Sequence, residues 1–331
     1  MPNITTYDFI DSNKRKTAIL MTLFPVTLVI AVYIAILLYS FIVSSGSAHG
    51  YHYVSPLDTA NRTALYVLPI VSAVAILWIL ISYFAGQKII FATTGAIELT
   101  RESAPDVIRM VENIAITAGL PMPKVYAIND ESLNAFATGR DPEHSYVVFT
   151  KGILNKLEKP ELEGVIAHEM AHIGNRDIRL MLITIVCISF ATIAAAILLR
   201  LALVRRGSSK GRGNAQLFLF LLAMAFYLYG YLVAPLIKFA LSRTREFQAD
   251  ATAALITRNP QGLADALRKI TGHSVVESLK DKETMAPMCI ESPLAPEKQN
   301  SFFSKVSGLF ATHPPTEERI KALMAMDGYR S

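Results

Sequence analysis

A chain of 331 residues that is 52% hydrophobic and only 18% charged, with a mean hydropathy of +0.36, is more apolar than soluble domains of its size. Its apolar residues are gathered in long uncharged runs, which marks an integral membrane protein. The net charge of +5 comes from basic residues that flank those runs and do not alternate with aromatic ones, so the lipid bilayer is an expected partner and nucleic acid is not.

Lys14-Arg15-Lys16 precedes an uncharged run from Thr17 to Val43, far longer than the apolar core of a signal peptide, and Pro25 within it is tolerable in a membrane helix. A loop from Ser44 to Thr63, with only Arg62 positive, leads to a second uncharged run from Ala64 to Gln87 and then Lys88. This is a hairpin whose charged ends should both face the cytoplasm. His49 and His52 in the loop have a spacing that could bind metal, but with no third ligand nearby a solvated loop is the plainer reading.

From Phe91 the pattern is that of a soluble domain. Val107, Ile108, Val111, Ile114, Ala115 and Ala118 form one stripe of a helix over Pro105–Ala118, ended by Gly119. Three strands are predicted at Lys124–Ile128, Asn134–Thr138 and Tyr146–Thr150, with Gly139, Asp141 and Pro142 as turn residues between the last two. The Asn134-Ala135 segment is either an edge that pairs with an extended peptide or an ordinary surface strand. A helix then opens on Pro160, with Glu161 and Glu163 at its positive end, and stops at Gly174-Asn175.

Leu180–Leu199 and Ala215–Ile237 are the third and fourth uncharged runs, joined by the basic stretch Arg200–Asn214. Full crossing by both would put that stretch outside, against the charge bias, so partial entry into the bilayer stays open beside full spanning. Helices are predicted at Ser242–Ile256 and Gly262–Ile270, then a polar loop from Lys280 to Gln299, and a last helix whose start is marked by Pro and Glu within Thr312–Ile320. Cys187 in an apolar run and Cys289 in a polar one give neither a disulfide framework nor thiolate spacing for a metal. The domain division is a transmembrane hairpin over 1–88, the first catalytic part over 89–177, a second hydrophobic hairpin over 178–240 and the second catalytic part over 241–331.

The chemistry is carried by His168-Glu169-Met170-Ala171-His172. Residues four apart on a helix share a face, so His168 and His172 aim at a common point where a zinc ion would fit. Glu169, rotated about 100° from His168, sits where a general base would deprotonate an attacking water. Catalytic zinc wants a third protein ligand, and Glu246 is the best candidate because its helix begins just after the second hairpin returns. Asp250, one turn on, could then accept the second N–H of His168. Taken alone, Glu246 and Asp250 also read as a solvated helix face.

These motifs, with Leu133–Gly139, Ser242–Asp250 and Thr312–Arg319, resemble the HtpX family of membrane-bound zinc endopeptidases, relatives of the CAAX prenyl proteases and of the thermolysin-like gluzincins. The resemblance covers nearly the whole chain. It implies an α-helical membrane protein with four hydrophobic segments in two hairpins and an α+β zincin-like catalytic domain, whose small sheet lies beside the motif helix. It implies one zinc per chain held by His168, His172 and Glu246, with Glu169 as base and Asp250 behind a ligand. It also implies that Asn134, Ala135 and Phe136 bind substrate backbone and that His313 and Arg319 stabilise the oxyanion. The expected activity is quality-control cleavage of damaged membrane proteins on the cytoplasmic side of a bacterial-type inner membrane. Processing of prenylated peptides, or an inactive zinc-binding adaptor or chaperone, are the alternatives; the uncharged spans argue against a transporter.

Overall fold

The protein is described by a computed structural model covering residues 6–46, 55–204, 212–240, 243–271, 273, 289–290 and 314–327. His49, His52, His313 and most of the predicted 280–299 loop lie outside the described residues. In chain order the elements are α1 (Thr6–Gly46), α2 (Pro56–Thr94), β1 (Ile97–Glu98), α3 (Pro105–Ala118), β2 (Lys124–Ile128), β3 (Ala135–Asp141) and β4 (His144–Thr150). They continue with α4 (Lys151–Lys156), α5 (Lys159–Gly174), α6 (Asp177–Val204), α7 (Arg212–Ala240), α8 (Arg243–Thr257), α9 (Pro260–Ile270) and α10 (Thr316–Asp327). The chain forms two compact units, one of Met1–Thr17, Tyr83–Ile185 and Ile237–Ser331, the other of Ala18–Ser82 and Val186–Leu236.

The second unit is made of apolar helix. Phe24 meets Phe190 and Tyr229 edge-on at 5.8 Å, and Phe190 in turn meets Trp78 and Phe226. Two of the polar tips inside are paired: Trp78 Nε1 donates to Val186 O at 3.1 Å and Tyr229 Oη to Phe24 O at 2.9 Å. Leu65, Tyr66 and Ile70 point outward from α2 and Ile30, Ile34 and Leu38 from α1, all half or more exposed. An apolar outer face of this kind suits hydrocarbon. Among the described residues three helices are long and apolar enough to cross a membrane, over Ile10–Ser44, Pro56–Ala92 and Asp177–Leu203. The predicted fourth run carries a shorter apolar stretch, Ala215–Tyr231.

The first unit is organised around α5. Its sheet runs in the order β1-β2-β4-β3, with β2 and β4 parallel and the other pairs antiparallel, so β3 lies at an edge. The turn falls later than predicted because β3 continues through Gly139 to Asp141 with a register shift. Gly139 holds φ +145°, and a Cβ there would lie 2.3 Å from His144 O, so only glycine fits. Two short elements, β1 and α4, were not evident in the sequence pattern.

Helix α5 packs against α3, β3, α8 and α9. Val165, Ile166, Met170 and Ile173 on it are fully buried with Val111, Phe149, Leu263 and Leu267 of its neighbours. Gly164 permits the approach of α9, since a Cβ would stand 2.8 Å from Leu263 N. Its first turn is fixed by Glu161, which accepts from Glu158 N at 2.7 Å and is met by Lys269 of α9 at 2.7 Å. A helix buried on nearly all sides must be apolar all round or pair whatever is not. Glu161, His168, Glu169 and His172 are its buried exceptions.

Candidate metal centre

The site is assembled by α5 and α8, with α6 and α10 behind it. His168 and His172 turn their Nε2 atoms toward each other, 3.2 Å apart, with ring planes at 90°. Glu246 comes from the first turn of α8; Oε2 is 3.9 Å from His168 Nε2 and Oε1 is 3.8 Å from His172 Nε2. All three residues are buried, and their donor atoms lie within 4.8 Å of one another. A tetrahedral ion with ligand bonds near 2.0–2.1 Å needs donor separations of about 3.3–3.4 Å. The histidine pair meets this, and Glu246 stands about half an ångström wide of it. Two imidazoles and a carboxylate with no further described ligand form the donor class of catalytic zinc sites.

Each histidine has a carboxylate behind it. His168 Nδ1 lies 3.0 Å from Asp250 Oδ1, and Arg319 of α10 grips Asp250 with Nη2 at 2.7 Å and Nε at 2.9 Å. His172 Nδ1 donates to Asp177 Oδ2 at 2.9 Å. Asp177 Oδ1 accepts from Arg245 Nη1 at 2.9 Å and from Asn13 Nδ2 at 2.7 Å. Unpaired, a buried charge costs several kcal/mol or more, which is why this centre is laced with ion pairs.

The electrostatics follow. Burial lowers the pKa of His168, reinforced by the positive His172 and Arg319 and opposed by Asp250. Burial also works against a charged His172, but the hydrogen bond to Asp177 and the carboxylates of Glu246, Asp177 and Glu169 raise it to about 9. Glu169 is pushed up to about 7, mainly by burial and further by Glu246, while His172, an N–H from Ala137 of β3 and Arg319 hold it down. Asp250 is held at about 2, because Arg319 and His168 outweigh its burial.

Residues 101–327 match the description Peptidase family M48. The chain belongs to peptidase family M48. It is 38% identical over 314 residues to a protease HtpX homolog of Bacteroides fragilis, covering 94% of this chain and 95% of that protein. A protease HtpX homolog of Dictyoglomus turgidum is 38% identical over 330 residues, covering 98% and 96% of the two chains. One from Listeria innocua is 38% identical over 335 residues, covering 97% and 99%. Among solved structures, S. mikatae Ste24p is similar with a TM-score of 0.42 at 19% identity, over 75% of this chain and 56% of that one. This M48 peptidase is therefore a membrane metalloprotease that acts on polypeptides, and the His168, His172 and Glu246 cluster is its candidate metal centre.

Six of the sequence-predicted site residues lie together. His168, Glu169, His172, Glu246, Asp250 and Arg319 come together as described, whereas His313 lies outside the described residues. Asn134 is buried just ahead of β3, and its side-chain oxygen accepts from Ala135 N at 3.0 Å. The outer edge of β3 carries a peptide: Ile290 N donates to Ala135 O at 3.0 Å, and Ile290 O accepts from Arg319 Nη1 at 3.1 Å. Phe136 and Ala137 follow along β3, both buried. Cys289 is buried close enough to Glu169 for that charge, after burial itself, to push its thiol pKa upward. The sequence reading missed Asp177, Arg245, Asn13 and Ile290. Of these, Asp177 was the most accessible, five residues past His172.

Proposed function

We propose that this M48 peptidase is a zinc endopeptidase of a bacterial-type cytoplasmic membrane that cuts misfolded or damaged membrane proteins in cytoplasmic loops or at the membrane surface. The observation that carries the reading is the main chain of Ile290, whose N–H donates to Ala135 O and whose carbonyl accepts from the Arg319 guanidinium. An unfolded substrate segment docks in the same way, displacing Ile290 and adding to the β3 edge beside Asn134, Ala135 and Phe136. Recognition through the main chain suits substrates that share no sequence. An adaptor without activity would have no use for Glu169.

His168, His172 and Glu246 would hold the zinc, which when bound supplies Lewis acidity toward water and the scissile carbonyl. Glu169, oriented by the Ala137 N–H and raised to about 7, takes a proton from the attacking water and returns it to the departing amine. A base with a pKa near the working pH can do both. Arg319 keeps one N–H on a substrate carbonyl while Asp250 holds the rest of its guanidinium, and its charge offsets the negative charge that grows as the bond breaks. We assign His313 to the oxyanion side on the family resemblance alone. For topology, the three long apolar helices cross and the shorter apolar stretch of α7 returns the chain, with Lys14, Arg15, Lys16 and Lys88 on the cytoplasmic side together with the metal centre.

Glu169→Gln tests the assignment in purified full-length protein in detergent. Zinc content stays at one per chain and cleavage of an unfolded membrane protein falls by at least about a hundredfold, the lower range for loss of a general base. A variant that digests this substrate at the wild-type rate would sink the reading.

A further inference from the structure

We infer that Asp177 is a positioning residue of the metal centre, and that Asn13 ties it, and through it His172, to the first turns of α1. Asp177 is fully buried, and its carboxylate spends both oxygens. Oδ2 accepts from His172 Nδ1 at 2.9 Å, and Oδ1 accepts from Asn13 at 2.7 Å and Arg245 at 2.9 Å. With Nδ1–H committed to Asp177, His172 can present only Nε2 to the cluster, and its ring cannot turn over without abandoning a buried carboxylate. Arg245 immediately precedes Glu246, so the same carboxylate also fixes the turn of α8 that brings in the third donor. One acid thus sets two of the three donors.

Asn13 gives this network its reach. It is 2% exposed, and its amide nitrogen donates to both Asp177 Oδ1 and Asn175 O, the latter at 3.0 Å. Burying an amide at the head of an apolar helix is unfavourable unless it is paired, and these two bonds pair it. They sit at the point where α5 ends, at Asn175, and where α6 begins, at Asp177. The bonds that aim His172 are therefore the bonds that hold the start of α1 to the break between α5 and α6. Loss of the α1 anchor should loosen the metal before it unfolds the chain.

The inference rests on His168, His172 and Glu246 being the metal ligands, and Glu246→Ala serves as the control. Full-length protein in detergent is titrated with zinc against a chromophoric chelator, and its melting temperature is read with zinc and with chelator. Asp177→Ala should weaken zinc about 10- to 100-fold, the range for a partner behind a ligand histidine. Asn13→Ala, which leaves the carboxylate and its other two bonds in place, should weaken it severalfold. In Asn13→Ala the melting temperature falls further with zinc than with chelator, so the zinc-dependent rise shrinks. A bond that merely held the scaffold would lower both readings equally, and that result, or wild-type zinc affinity in Asn13→Ala, overturns the inference. If Asp177→Ala does not fold, Asn13→Ala decides alone. If Glu246→Ala also binds zinc like wild type, the ligand assignment has failed rather than the role of Asp177.

Discussion

The two histidines on α5 are four residues apart and are supported by opposite kinds of surroundings. Behind His168 stand Asp250 and Arg319, and Arg319 also holds the carbonyl of Ile290, so this side runs from the metal donor to the docked peptide. Behind His172 stand Asp177, Arg245 and Asn13, which run from the metal donor to the starts of α6, α8 and α1. Protonation differs in the same sense. His168 is lowered, with burial and two positive neighbours against it, whereas His172, facing three carboxylates, is raised to about 9. One side leads to the Ile290 segment at the β3 edge and the other to the scaffold, and each histidine of the motif has its own carboxylate support.

The sharpest way to break this comparison is to remove the arginine from each side. Arg319→Ala leaves Asp250 buried without its main partner, and breaking such a pair costs about 3–5 kcal/mol. Cleavage should also be lost in whatever fraction stays folded. Arg245→Ala leaves Asp177 its bonds to His172 and Asn13, so the cost should be nearer about 1–3 kcal/mol. Denaturant unfolding in detergent measures both, and equal losses would erase the distinction.

A smaller effect separates the histidines by pH. A proton on His172 must leave before Nε2 can ligate, while His168, already lowered, carries no such burden. Zinc affinity measured by chelator competition should therefore rise with pH up to about 9, by about tenfold per unit below it. In chelator the sign reverses: a raised histidine favours the folded chain below its unfolded pKa near 6.5, and that contribution is lost as pH rises through about 9. Zinc affinity that is flat between pH 7 and 9 would show that His172 is not the charged member.

What the sequence revealed and what it concealed divides by the range of the interaction. His168, Glu169 and His172 share one helix, and Glu246 and Asp250 share another, so the four-residue rule was enough to group them. The apolar runs likewise declared themselves by composition. Asp177 escaped because it lies beyond a break: α5 stops at Gly174, Arg176 takes φ 60°, and α6 starts afresh at Asp177. A continuous helix would have put position 177 on a different face from His172, and only the kink brings it back. Arg245 and Asn13 are 68 and 164 positions from Asp177, and nothing local to either marks them out from topology charges or helix-start polar residues. Ile290 sits within a stretch that reads as a plain polar loop, so its amide on the β3 edge had no signal at all.

That amide gives the finest test of whether the His168 side meets substrate. Ile290→Pro removes the N–H that Ala135 O accepts, and Ile290→Ala keeps it while trimming the same buried side chain. The two variants share most of the packing loss, so their difference isolates one hydrogen bond, worth about 0.5–1.5 kcal/mol. If a substrate strand must displace Ile290 to reach Ala135 O, the proline variant should show a KM for an unfolded polypeptide about two- to tenfold below that of the alanine variant. The kcat should be the same, because Glu169 and the three metal donors are untouched. Zinc affinity should also be unchanged in both, since Ile290 contacts Arg319 through its carbonyl and that carbonyl remains. Equal KM values would mean that substrate does not compete for the β3 edge, and the docking part of the proposal would fall while the metal centre stood.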